Sequence, residues 1–201
     1  MPGPAGPVPA ARPSTRQRIL EATYVCVARW GLAKTTLEDA AREAGVSRAT
    51  VYRHFPGGRD ELVDAVVLWQ FLQFFAHLYE ELHDAVTLEE VLTRGLVFAR
   101  RSMLEHDVLQ LLLQTEPEVL LPKLTTEAER VVGMVAGFLL PYVARQRVAP
   151  GVDVHEAADY LARMTLSFIA APGSWDLTDP DQVADLVRFE LLAGLVGPTA
   201  G

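Results

Sequence analysis

The chain has 201 residues, half of them hydrophobic and 22% charged, enough for one large domain or a small one joined to a larger one, and too apolar to stay unfolded. Its net charge of −8 is unevenly divided: residues 1–60 hold nine Arg or Lys against five acids, and the rest holds nine against 21. A basic head on an acidic body reserves contact with a polyanion for the head and excludes a uniformly basic binding surface.

Residues 1–13, MPGPAGPVPAARP, contain five prolines and no apolar periodicity, and read as a flexible arm. No basic segment leads into an apolar one here, so a signal peptide is not expected. Cys26 is the only cysteine, which excludes an intrachain disulfide and a cysteine zinc site. It shares helical spacing with Ile19, Ala22, Thr23 and Trp30, as a small core residue does.

Helix starts are marked by side-chain acceptors for free backbone amides: Ser14 with Gln17, Thr87 with Glu90, Thr126 with Glu129, and Asp179 followed by Pro180 and Gln182. No period-two alternation or hairpin turn competes, so the chain reads as all-α. About nine helices are expected, over residues 14–31, 37–44, 48–54, 59–83, 88–106, 107–115, 123–148, 154–171 and 180–196. Pro117 and Pro122 break the chain before the seventh, and Pro141 kinks it. The longest nearly unbroken apolar run, residues 131–144, falls short of the roughly 18 residues of a membrane span, so a soluble, cytoplasmic protein without membrane contact is expected.

In residues 37–62, LEDAAREAGVSRATVYRHFPGGRDEL, Leu37, Ala40, Ala41 and Ala44 form one narrow stripe of small apolar side chains. Gly45 allows the positive φ of a sharp helix exit, and Ser47 caps the next helix. This is the pattern of a helix-turn-helix. Val51 and Phe55 mark the core side of the second helix; Ala49, Thr50 and Arg53 face outward, with Arg48 on the first turn. Arginine forks match guanine and a small Ala49 admits a thymine methyl, so this face suits the major groove of double-stranded DNA. Thr36, Tyr52 and His54 are expected on phosphates, with Arg59 beside a further phosphate at the amides following Gly57 and Gly58.

Residues 14 to about 66 resemble the DNA-binding domain of the TetR family of bacterial transcriptional regulators, through TRQRILEAT, GLAKTTLEDAAREAGVSRATVYRHF and GGRDELVDAV. The resemblance implies a backbone contact for Tyr52 and a groove contact for Thr50. Ala49, Gly58 and Arg59 depart from the residues frequent there, Gly or Pro, Ser or Asn, and Lys. Three units are expected: an arm over 1–13, a three-helix helix-turn-helix domain over 14–60, and a helical ligand-binding and dimerisation bundle over 61–201.

In the bundle, Trp69, Phe74, Met103, Met134, Phe138, Tyr142 and Phe168 are large or adaptable side chains suited to a ligand cavity, with His106 as a polar group at its mouth. The same residue types build ordinary cores. Leu161 and Met164, with Val183, Leu186, Val187 and Leu191, form apolar stripes on the last two helices suited to a two-fold dimer interface. The resemblance implies the same homodimer. His77 and His83 lie six apart, no metal-binding or catalytic motif occurs, and no cofactor is expected. The expected function is a ligand-responsive repressor binding a palindromic operator as a homodimer and released by a small apolar effector. The alternative is a helical protein that binds or sequesters a small molecule without an operator.

Overall fold

The computed structural model describes residues 13–146 and 148–195, so the arm expected over 1–13 lies, except for Pro13, outside the described residues. Among these residues the chain is helical and contains no strand. It divides into two compact units, Met1–Val66 and Val67–Gly201.

The first unit holds α1 (Thr15–Trp30), α2 (Leu37–Ala44), α3 (Arg48–His54) and the start of α4 (Gly58–Glu81). Ser14 Oγ accepts the Gln17 amide at 3.1 Å and so starts α1. This helix buries Ile19, Leu20, Ala22, Thr23, Cys26 and Val27. Burial pushes the Cys26 thiol above its ordinary range, which keeps it in the unreactive protonated form. The stripe Leu37, Ala40, Ala41 and Ala44 is buried as α2 packs along α1, and side chains this small admit close approach. Leu62, Val63 and Val66 on the first turns of α4 are buried as well.

The second unit comprises the rest of α4 and α5 (Leu88–Glu105), α6 (Asp107–Thr115), α7 (Pro117–Val143), α8 (Val154–Ala170) and α9 (Pro180–Leu186), the last continuing into a π-helical turn, Val187–Leu191. Its core gathers Leu88, Val91, Leu92 and Leu96 of α5, Leu139 and Val143 of α7, Ala157, Ala158 and Leu161 of α8, and Val183, Leu186, Val187 and Leu191. Away from that core the packing is looser. In α6 only Leu112 is buried, and Leu104, Leu111 and Leu121 are 44–50% exposed.

Three expectations about the helices are corrected. The seventh helix begins at Pro117 instead of 123, because proline at the first helical position removes an amide that has no partner there. Pro122 lies inside it, and Thr126, expected as a cap, is an interior residue whose hydroxyl donates to the Pro122 carbonyl at 2.9 Å. That helix ends at Val143, two residues past Pro141; the carbonyl that Pro141 leaves unpaired belongs to Gly137, which is exposed to water. The last helix widens at Val187, where the Leu192 amide reaches back to the Val187 carbonyl at 2.9 Å, so Leu186, Val187 and Leu191 stay covered while Phe189 is 68% exposed.

By length and mean hydropathy, 1.3 over its most apolar window, α4 is long and apolar enough to cross a membrane. Its first turns, however, bury Leu62, Val63 and Val66 within the first unit.

Candidate nucleic-acid interface

The turn that orients α3 is built from backbone requirements. Gly45 sits at φ 65°, ψ 37°, the left-handed region that side chains disfavour, and the following amide, of Val46, bonds the Ala41 carbonyl at 3.0 Å. Arg18 of α1 donates to the Ala44 carbonyl at 2.7 Å, satisfying another acceptor at the end of α2. Ser47 Oγ then accepts the Thr50 amide at 3.1 Å and starts α3. Val51 and Phe55 are fully buried, anchoring α3 by one face. Arg16 lies over the Phe55 ring, 5.0 Å from its centroid.

The opposite face meets solvent. Arg48, Ala49, Tyr52 and Arg53 are exposed, and Thr50 and His54 are half-buried beside them. The Thr50 hydroxyl lies 3.0 Å from that of Ser47. Arg48 is held on three sides: Nη1 pairs with Glu38 of α2 at 2.5 Å, Nη2 donates to the Tyr52 hydroxyl at 3.3 Å, and the guanidinium lies 5.4 Å from the centre of that ring. The Tyr52 hydrogen bond, and next the Glu38 carboxylate, raise the Arg48 guanidinium above its ordinary value. Ala49, Arg53, Arg48 and Tyr52 thus share one exposed surface of the shape and charge that a major groove accepts.

Thr36 and Arg59 have other work. Thr36 caps α2: its hydroxyl accepts the Asp39 amide at 3.1 Å and donates to the Asp39 carboxylate at 2.6 Å. This hydrogen bond above all holds the Asp39 carboxyl below its ordinary range. Arg59, expected beside a phosphate, donates from Nε to the Thr35 carbonyl at 2.9 Å and from Nη2 to those of Leu32 at 2.5 Å and Ala33 at 3.2 Å. It ties down the connection between α1 and α2. The two amides just ahead of those expected at that phosphate are engaged: Gly57 N–H donates to Glu61 Oε2 at 2.5 Å, and Gly58 N–H to the Phe55 carbonyl at 3.0 Å. A Cβ on Gly57 would meet that carboxylate oxygen at 2.9 Å, so glycine lets Glu61 fold back. Sequence reasoning passed over Glu38 and Glu61; the available signal for Glu61 was its place four residues after Gly57.

In the second unit the seven apolar residues expected at a ligand are all half-buried and fall into two groups by what they touch. Phe138, Tyr142 and Phe168 pack against the core, with the Phe138 and Tyr142 rings 5.8 Å apart. Trp69, Phe74, Met103 and Met134 are half-buried, and Phe74 lies 5.7 Å from Phe98. His106 caps α6, its Nδ1 accepting the Leu109 amide at 3.0 Å. A shallow pocket of about 290 Å³ lined by Thr87, Glu89, Glu90, Thr93, Arg94 and Ala184 contains none of these residues. Its Arg94 is braced by Asp84 at 2.9 Å and Glu90 at 3.3 Å. The dimer stripe is corrected: Leu161, Val183, Leu186, Val187 and Leu191 are at most 1% exposed within their own subunit, so they offer a partner no area, and Met164 packs against the same core. No group of three His, Cys, Asp or Glu side chains suited to a metal occurs among the described residues.

Residues 19–66 match the model of bacterial regulatory proteins of the tetR family, and residues 81–188 match the C-terminal domain of the bacterial tetracyclin repressor. An uncharacterized HTH-type transcriptional regulator of Mycobacterium tuberculosis is 50% identical over 48 residues, 24% of this chain; the chain spans about a quarter of the length of such relatives. The HTH-type transcriptional regulator AlkX of Mycobacterium tuberculosis is 27% identical over 183 residues, 90% of this chain and 85% of that one. Among solved structures, the TetR family repressor AlkX from a Dietzia species, implicated in biodegradation of n-alkanes, superposes with a TM-score of 0.62 at 26% identity, over 92% of this chain and 98% of that one. The repressor QsdR of R. erythropolis, at 20% identity over 93% of this chain and 98% of that one with a TM-score of 0.61, has the same fold. With both its head and most of its body matched, the chain belongs to the TetR family of bacterial regulatory proteins, DNA-binding transcriptional regulators and not enzymes.

Proposed function

We propose that this regulator is a homodimeric repressor that binds a palindromic operator in the cytoplasm and is released by a small apolar ligand. The observation that carries the DNA reading is the exposed surface of α3, where Arg48, Ala49, Tyr52 and Arg53 stand opposite the buried Val51 and Phe55. Arg53 and Ala49 enter the groove with Thr50 at its edge, while Tyr52 and His54 reach phosphates and Arg48 supplies charge on the first turn. Thr36 and Arg59 fall outside this set, because their polar atoms already serve α2 and the connection before it.

The ligand reading rests on uneven packing. Trp69, Phe74, Met103 and Met134 are apolar, half-covered and outside the buried core of their unit, and such a surface gains free energy when an apolar molecule fills it. The relative implicated in n-alkane biodegradation is compatible with an effector of this chemistry. Two-fold pairing falls to outward residues of the last two helices, Tyr160 at 42% and Phe189 at 68% exposure. Effector and operator then bind antagonistically, each weakening the other by the same factor, typically about 5- to 150-fold.

Duplexes selected from a random pool by the purified protein, followed by mobility shifts and by light scattering of the complex, test the reading. Enrichment of an inverted repeat bound by two subunits, and its release by a molecule identified by mass spectrometry of the purified protein, are expected. A pool that enriches no sequence sinks the operator, and a monomer binding at full strength sinks the dimer.

A further inference from the structure

Two arginines stand on the exposed side of α3 and their surroundings differ. Arg53 takes part in no ion pair among the described residues, whereas Arg48 is paired with Glu38 at 2.5 Å across the turn between α2 and α3. Five other acids of the head serve their own neighbours: Glu21 accepts from Gln17, Asp39 from Thr36 and Arg42, Glu43 from Arg29, Asp60 from Arg59, and Glu61 from Gly57. Glu38 is the carboxylate turned to a cation of the recognition helix. The pair is open to water, with side chains 59% and 52% exposed, so it adds little to the stability of the fold. Its effect lies in the charge and geometry shown to DNA. Glu38 compensates one positive charge at the place where phosphates approach, and with the Tyr52 hydroxyl it fixes the direction of the Arg48 fork.

We infer that Glu38 is a specificity-determining residue acting through Arg48: it withholds the Arg48 charge from arbitrary phosphates and keeps its fork in one orientation, so that operator is favoured over random DNA. Affinity for random duplex comes almost wholly from phosphate neutralisation, and a compensated arginine releases fewer counterions. Operator affinity comes also from base contacts, which Glu38 leaves to Arg53 and Ala49. This inference rests on α3 being the helix that meets DNA.

The test uses the full chain as Glu38→Gln, Arg48→Met and the double variant, with equilibrium binding to a random duplex and to a duplex selected by the wild type, each over a salt series. Glu38→Gln keeps the shape and removes the charge. It is expected to tighten random-duplex binding about three- to tenfold, to steepen the slope of log K against log salt by about 0.9, and to change selected-duplex binding less, lowering discrimination. In the Arg48→Met background the same substitution is expected to change neither duplex. Equal tightening on both duplexes, or an effect that persists without Arg48, overturns the inference and leaves Glu38 as a merely repelling charge. Unchanged affinities and slopes overturn it as well. A wild type that enriches no duplex overturns instead the prior reading of α3 as the DNA-reading helix.

Discussion

Arg59→Ala separates two roles for one residue, a phosphate contact and a brace of the head. The guanidinium donates to the carbonyls of Thr35 at 2.9 Å, Leu32 at 2.5 Å and Ala33 at 3.2 Å, and both Leu32 and Thr35 are nearly inaccessible to water, at 2% and 1% exposure. Hydrogen bonds to a charged donor contribute about 1.5–3 kcal/mol each, and water can serve the exposed Ala33 carbonyl. With the Arg59 side chain itself 38% exposed, the lower end of that range applies to the other two, giving about 3 kcal/mol for the head. Hydrogen exchange followed by mass spectrometry should show amides of α1 and the segment after it losing about a hundredfold in protection. The dependence of DNA binding on salt should keep its slope in whatever fraction remains folded. Arg59→Lys should recover only part of the loss, since an ammonium lacks the fork that spans two carbonyls. Unchanged protection together with a salt slope shallower by about 0.9 would refute this and return Arg59 to the phosphates.

Arg53→Ala should relax base preference at one position of each half-site by about 1–3 kcal/mol, read by repeating the selection with the variant; a uniform loss over all sequences would assign Arg53 to the backbone. Asp39, held below its ordinary range mainly by the Thr36 hydroxyl, contributes stability that is present above the unfolded carboxyl range and lost as pH falls through the lower folded value. Asp39→Asn should therefore flatten the acid limb of the head's melting profile, and an unaltered limb would exclude the Thr36–Asp39 cap as its source. Leu186→Arg puts a charge where the wild-type side chain is fully buried, at a cost of about 3–5 kcal/mol or more, so an unfolded second unit is expected. A folded, monomeric Leu186→Arg variant would place Leu186 at the subunit interface after all.

The helix-turn-helix was legible because its signals are local. Gly45 and Ser47 each act within a few residues, and α2 and α3 begin and end where residues 37–44 and 48–54 predict. Val51 and Phe55 follow from helical period alone. Arg59 was not legible, since its carbonyl partners lie 24 to 27 residues back along the chain and only tertiary approach brings them within reach. The same holds for Glu38 and Arg48, ten residues apart on two helices whose crossing decides the contact. Pro122 misled for another reason. A proline inside a helix costs an amide bond, but that loss is tolerated where water reaches the orphaned carbonyl, and Pro122 and Glu118 are both exposed.

Period tells which residues share a face and is silent about what covers it. Val183, Leu186, Val187 and Leu191 share a face, and a partner subunit or the subunit's own α5 would satisfy them equally well on hydrophobic grounds. The α5 helix is tethered to α9 by the chain, so contact with it needs no association entropy, and it supplies Leu88, Val91, Leu92 and Leu96 at the right spacing. A dimer must then be built from what remains outside. That requirement moves attention to Tyr160 and Phe189, which an amphipathic reading assigns to solvent, and to the π turn that accompanies the outward display of Phe189. The half-buried residues expected at a ligand divide by what they touch: Phe138, Tyr142 and Phe168 pack against the core, whereas Met103 and Met134 lie outside it. An apolar effector gains most where the chain has left its own apolar surface incompletely covered, which places the substitutions most informative about the effector on the second group.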